Sequence, residues 1–141
     1  MNTPSVGERK TGVANNLESN LGFRSEHRLR TATDFSRVFS VRRVLRGVVF
    51  DLHYHSRNPA VSAEPSGARL GIVIAKKLAN RAVQRNLLKR LARESFRLAR
   101  SGLPPCDLVL RLAKPAGTSL DLTARQTWRA DIDHLLNRLP R

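Results

Sequence analysis

Residues 47–56, GVVFDLHYHS, alternate in character: Val48, Phe50, Leu52 and Tyr54 fall on one side, Val49, Asp51, His53 and His55 on the other. A period of two predicts a strand with one buried face. Residues 68–75, ARLGIVIA, are rich in β-branched and aliphatic side chains and suit a central strand, and residues 107–113, DLVLRLA, read as another. Three stretches change period. Residues 28–40 form a short helical pattern with Thr31 or Thr33 as N-cap and Leu29, Phe35, Val38 and Phe39 as its apolar positions. Residues 81–100 carry a longer one, closed by Gly102, Pro104 and Pro105. Near the end, Trp128, Ile132, Leu135, Leu136 and Leu139 follow the i, i+4, i+7, i+8, i+11 spacing of an amphipathic helix. The order is helix, strands, helix, strand, helix, without an internal repeat, which predicts one α+β domain over residues 23–141. Residues 57–67, with two prolines and a glycine, are a loop, and residues 1–22, rich in Asn, Ser, Gly and Thr, read as a disordered extension.

Charge sharpens this outline. The 141-residue chain has 26 Lys and Arg against 11 Asp and Glu, a net +15. Residues 76–100 alone carry nine bases and one acid, Glu94, more than half of the excess. Such a concentration favours a polyanionic partner. One cysteine, Cys106, excludes an internal disulfide, and the four scattered histidines show no metal-ligand spacing. No apolar run approaches the roughly 18 residues of a membrane span, and the amino terminus has no apolar signal-like core, so the cytoplasm is the expected compartment and no membrane partner is expected.

The central helix has basic residues at Arg81, Arg85, Lys89, Arg93 and Arg97, each four apart. Like charges at that spacing repel, and an ordinary solvated helix relieves them with interleaved acids. Here relief is nearly absent, which points to a nucleic-acid face. Six Arg to three Lys in residues 76–100 suit bidentate phosphate contacts, and Asn86 adds a side chain able to donate and accept. Val83, Leu87, Leu91 and Leu98 project on the opposite half, with Leu88 at its edge, as the expected core side.

Lys76, Lys77, Ala82, Arg85, Asn86, Lys89, Arg90, Arg93, Glu94 and Phe96 together resemble the signature of the bacterial ribonuclease P protein family. The flanks agree: Arg28-Leu29, Asp34-Phe35 and Phe39 are similar to that family's first helix, residues 69–75 to its strand before the motif, and residues 107–115 to the strand after it. The likeness covers about residues 23–138. It departs at Leu87, where the family usually has a second arginine, and at Ala113, where a basic residue is usual; Arg111 and Lys114 lie nearby.

The resemblance implies a four-stranded sheet with a left-handed βαβ crossover. It also implies a protein that is not itself the catalyst: an RNA subunit cuts precursor tRNA at the mature 5′ end with bound Mg2+. Lys76, Lys77, Arg81, Arg85, Asn86, Lys89, Arg90 and Arg93 are then candidates for contact with the catalytic RNA. Phe35, Phe39 and Arg28 are candidates for the single-stranded 5′ leader, on which aromatic faces can stack without demanding sequence. Core packing is the competing reading for both phenylalanines. No carboxylate cluster suited to two-metal cleavage is visible, and His53 with His55 reads more simply as a half-exposed strand face than as an acid–base pair. Three other classes compete: a generic RNA-binding module, which would not require the spaced motif; a major-groove DNA-binding helix, which lacks its helix-turn-helix partner because residues 70–77 read as strand; and a protein nuclease, which lacks ligands.

Overall fold

The computed structural model describes residues 27–57 and 67–140. The expected extension at residues 1–22 and most of the proline-containing loop lie outside the described residues. The elements, in chain order, are α1 (Ala32–Val41), β1 (Val44–Arg46), β2 (Phe50–Ser56), β3 (Arg69–Val73), α2 (Ala82–Ala99), β4 (Cys106–Leu112) and α3 (Leu122–Asn137). No helix among the described residues is long and apolar enough to cross a membrane.

The four strands form one sheet in the order β1-β2-β4-β3. β2 pairs antiparallel with β1 and β4, whereas β3 and β4 run parallel. A parallel pair needs a crossover connection, and α2 supplies it. Register sorts the side chains onto two faces. Phe50, Leu52, Leu108, Leu110, Leu112 and Leu70 point to one face and are buried there against Leu88, Ala92 and Phe96 of α2 and Trp128, Ile132, Leu135 and Leu136 of α3. On the other face, Val109 packs with Leu29 and Val38, with Phe35 and Val73 at the margin. Two helices thus cover one face, and only the short α1 covers the other.

Local chemistry places each helix. Thr31 is the N-cap of α1: its hydroxyl accepts from the Asp34 N–H at 3.1 Å, and the Asp34 carboxylate accepts from the Thr31 N–H at 3.4 Å, a capping box. Arg42 ends the helix in the left-handed region at φ 60°, unusual for a residue with a Cβ. Asp121 caps α3 by accepting from the Ala124 N–H at 2.9 Å. α2 starts at Arg81 with no side-chain cap; instead the Arg85 guanidinium donates to the carbonyls of Ala79 (2.9 Å) and Asn80 (2.8 Å) in the preceding turn.

The structure corrects three expectations. The buried stripe of α2 is Gln84, Leu88, Ala92, Ser95 and Phe96, roughly a quarter turn from the projected one, leaving Val83 and Leu98 54% and 58% exposed. Hydrophobicity misplaced it because Gln84 is buried with its amide satisfied, donating to the Gly117 carbonyl at 2.8 Å. Leu87 and Leu91 still pack against the core margin. Secondly, Val48 does not share the buried side of β2: it is 65% exposed in a turn before the strand begins. Thirdly, Asp51 is buried rather than facing solvent, because Arg46 (3.2 Å) and Arg111 (3.5 Å) flank its carboxylate.

The β1–β2 turn is held from α3. Asp131 is buried, and its carboxylate accepts from the N–H groups of Val48 (2.8 Å), Val49 (2.9 Å) and Phe50 (3.0 Å). A Cβ on Gly47 would lie 2.5 Å from that carboxylate, so the close approach requires glycine. Asp131→Ala leaves these donors without their acceptor, and at roughly 1–3 kcal/mol for a buried group it should lower unfolding free energy by at least about 2 kcal/mol in urea titration. A loss below about 0.5 kcal/mol would show that the turn holds without it.

Candidate nucleic-acid interface

The basic side chains of α2 follow from the orientation of its buried stripe. Arg85, Lys89 and Arg93 run along the edge where the helix leaves the core, and Asn86, Arg90 and Arg97 lie further out. Arg85 is half-buried and engaged with the turn at Ala79 and Asn80, so its first role is to fix the entry into α2. Arg97 is paired with Glu94, whose carboxylate lies across one helical turn. The hydrogen bond from Arg97 holds the Glu94 carboxyl below its ordinary value. Arg81, Asn86, Arg90 and Arg93 are exposed, as are Lys76 and Lys77 in the turn after β3.

Lys89 and Arg93 do more than decorate the helix. They form one wall of an open cleft of about 170 Å³, with Arg28 on another side and Phe35, Leu29, Leu70, Gly71 and Ile72 as its lining. Engineered apolar cavities of about 150 Å³ admit a benzene ring, so a single planar ring fits this volume. Arg28 reaches the cleft because residues 28–29 run beside β3: Arg28 bridges Leu70, and the Leu29 N–H donates to the Leu70 carbonyl at 3.1 Å. Desolvation first, and the neighbouring Arg28 charge second, push the Arg93 guanidinium below its ordinary value. It remains protonated at neutral pH, and three cationic side chains, Arg28, Lys89 and Arg93, lining one cleft favour the entry of an anion.

The position of the Phe35 ring depends on an absent side chain. A Cβ on Gly71 would come within 2.5 Å of its Cε1 and 2.6 Å of its Cζ, so the ring lies against the bare backbone of β3. Register extends the same row from Gly71 through Val109 and His53 to Val44. At its far end Phe39, 37% exposed, meets the His53 ring edge-on with centroids 4.8 Å apart. Phe35 and Phe39 therefore sit at opposite ends of one row crossed by α1. Charged rows flank it: Arg69, Asp107 and His55 on one side, Val73, Arg111, Asp51 and Arg46 on the other. Asp107 is fully buried and receives Arg69 through two bonds of 2.9 Å and Arg57 at 3.0 Å.

The structure thus brings Arg28, Phe35, Lys89 and Arg93 together around one cleft, sets Phe39 on the open sheet face, and leaves Asn86 and Arg90 on the outer face of α2. Sequence reading missed Gly71 and His53 as parts of this surface. The period-two pattern placed His53 on the correct face, but no local signal linked Gly71 to Phe35. The fold and cleft describe a small α+β protein with a cationic, aromatic-lined groove.

The model of the family described as ribonuclease P matches residues 23–139. The ribonuclease P protein component of Azoarcus sp. strain BH72 is 47% identical over 118 residues, covering 84% of this chain and 90% of that protein. Its counterpart in Bordetella parapertussis is 42% identical over 120 residues, covering 83% and 94%. Among solved structures, the Thermotoga maritima RNase P protein superposes with a TM-score of 0.65 at 29% identity, covering 81% of this chain and 98% of that one. The Staphylococcus aureus RNase P protein gives 0.64 at 26%, covering 79% and 93%. The chain belongs to the ribonuclease P protein family.

Two measurements test this geometry. Gly71→Ala forces Phe35 off the strand and should cost roughly 1–3 kcal/mol, with a changed Phe35 ring environment by NMR; an unmoved ring would refute the contact. Burial first, then Arg111 and Arg46, lower the His53 imidazole from 6.5 against the opposing pull of Asp51. The folded protein therefore binds this proton less readily than the unfolded chain, so stability is full above that value and declines as pH falls through the lower folded one. His53→Phe should flatten the decline of melting temperature between about pH 7 and about pH 5; an unchanged slope would assign it to other groups.

Proposed function

We propose that this chain is the protein subunit of ribonuclease P, assisting the endonucleolytic release of the 5′ leader from precursor tRNA in the cytoplasm. The observation that carries this reading is the shared wall of helix and cleft: Lys89 and Arg93 belong to the basic face of α2 and also line the groove around Phe35. One element can then address two RNA segments. The outer residues Arg81, Asn86 and Arg90, with Lys76 and Lys77 at the helix entrance, contact the catalytic RNA mainly by phosphate neutralisation, which weakens with salt. Arg85 contributes by fixing the helix entrance as well as by charge. Arg28, Phe35 and Phe39 engage the single-stranded leader, Phe35 by stacking on a base that enters the cleft. The precursor tRNA is distinguished from the mature form by this leader.

The catalytic centre lies in the RNA subunit, and no protein side chain is assigned a chemical step. Mg2+ requires several free oxygen ligands in near-octahedral array. Asp51 and Asp107, the carboxylates of the open sheet face, do not fit it, being already engaged by Arg46, Arg111, Arg69 and Arg57. Mg2+ is accordingly bound by the RNA and the substrate. Duplex DNA is not a partner in this reading, because the aromatic groove suits an unpaired strand.

The test is leader release from a precursor tRNA at low Mg2+, with catalytic RNA alone, protein alone and both. Activity is expected only with both. Arg90→Ala should weaken assembly with the RNA, and Phe35→Ala should reduce discrimination between precursor and mature tRNA by about tenfold, the order of one stacked base. Cleavage by the protein alone would overturn the reading.

A further inference from the structure

The flank of α2 that faces away from the Phe35 cleft has a chemistry of its own. At roughly 100° per residue, Val83, Leu87, Leu91 and Leu98 share one edge of the helix, across its buried stripe from Lys89 and Arg93. Val83 and Leu98 are exposed, and Leu87 and Leu91 are only partly covered. Beside this edge an open groove of about 350 Å³ runs between α2 and α3, lined by Leu91, Arg125, Gln126, Arg129, Ala130 and Asp133. It has about twice the volume of the cleft at Phe35, room for two fused rings where the cleft takes one.

The groove combines the parts that hold a nucleotide. Leu91 and Ala130 offer an apolar surface to the flat face of a base. Gln126 is exposed, and its amide both donates and accepts, which matches the two-atom edge of a purine. The two arginines are fixed by their inner nitrogens. Arg125 Nε donates to the Leu120 carbonyl at 2.9 Å, and Arg129 Nε to the Asp133 carboxylate at 3.3 Å. Each bond leaves the outer fork of the guanidinium for a phosphate. The acids nearby do not cancel this charge: Asp133 is taken by Arg129 and Glu94 by Arg97. Arg90, Arg97, Arg125 and Arg129 thus stand against two acids around the apolar edge. An aliphatic edge alone suits many partners; cationic rims and an amide reader beside it select a polyanion that carries flat rings.

We infer that the groove between α2 and α3 binds an unpaired purine nucleotide of the catalytic RNA, with its base on Leu91 and Ala130 against Gln126 and its phosphates on Arg125 and Arg129. The inference rests on the proposed docking of that RNA on the outer face of α2 and extends it around the helix to α3. The leader does not supply this nucleotide, because its cleft lies on the other flank, with the outer face that carries Asn86 and Arg90 between the two. The RNA subunit takes one flank of the helix and the substrate the other.

The experiment measures assembly of the full chain with its catalytic RNA across a salt series, with chemical probing of base edges at single-nucleotide resolution. One unpaired purine should lose reactivity on assembly. Ala130→Phe, at an exposed position, fills the groove. It should weaken assembly about tenfold, the order of one stacked base, and return that purine to full reactivity at an unchanged melting temperature. Arg125→Gln/Arg129→Gln should lower the salt slope by about 1.4, for two single-strand phosphates, and tests the site without adding bulk. Discrimination between precursor and mature tRNA should be the same in every variant. Full affinity and slope in both variants would overturn the site, as would a purine that stays protected when the groove is filled. A loss seen only in discrimination by the leader would overturn it as well, by giving the groove to the substrate. Failure of the unsubstituted protein to bind the catalytic RNA would sink the docking reading beneath it, a result distinct from these.

Discussion

A single carboxylate fixes the geometry on which the working surface depends. Asp131 lies on α3, on the side of the sheet opposite the cleft, and receives three successive N–H groups from residues 48–50. Burying a carboxylate costs several kcal/mol unless its lone pairs are met. Three oriented N–H donors meet them. In return, the turn cannot slide relative to α3, and β2 must start at Phe50. That start sets the parity of the sheet: Phe50 and Leu52 go inward, Asp51 and His53 go to the open face. A slip of one residue would exchange these sets, removing His53 from Phe39 and Asp51 from its arginines. Arg138 adds a second tie from the same helix, donating to the Arg46 carbonyl at 2.9 Å.

The same economy of acids explains the electrostatic character of the molecule. Asp51, Asp107 and Asp131 are all buried. Each is taken up by arginine or backbone donors, so it organises the sheet without offering solvent a compensating negative charge. Glu94 is paired with Arg97 on the outer side of α2. Burial of these three carboxylates removes negative charge from the sheet surface, while Arg46, Arg90, Arg93 and Arg111 stay exposed. Arg93 shows the result locally, its proton affinity lowered by desolvation and by Arg28.

Much of this could be read from the chain before its fold. The closing helix was legible because Trp128, Ile132, Leu135, Leu136 and Leu139 are large and apolar at regular spacing, and all five are buried. The Thr31 cap was legible because capping is a contact over three residues. The rotation of α2 was not, since Gln84 and Ser95 lie on its buried face and a hydrophobicity pattern counts them as solvent-facing. β1 was not read from the residues at all: three residues carry too little periodicity, and the strand exists through its pairing with β2. In the candidate site, the basic residues of α2 were visible one by one as a spaced motif. What they share with Phe35 was not, because the cleft arises from Gly71, and the reason for that glycine is an aromatic ring on another element.

The parallel β3–β4 pair joins these features into one surface. Because both strands run the same way, β3 delivers Lys76 and Lys77 at the same end of the sheet where β4 delivers Arg111 and Lys114. The crossover helix then starts from that end and carries its basic edge back past the open side of β3, where Lys89 and Arg93 meet Phe35. An antiparallel pair would place the strand-to-helix lysines at the opposite end from Arg111 and divide the cationic surface in two. Here the topology keeps the helix edge, the aromatic cleft and the arginine row contiguous, so a flexible polyanion can pass from one to the next without leaving positive potential. Continuity of this kind belongs to the connection between strands, and no individual residue supplies it.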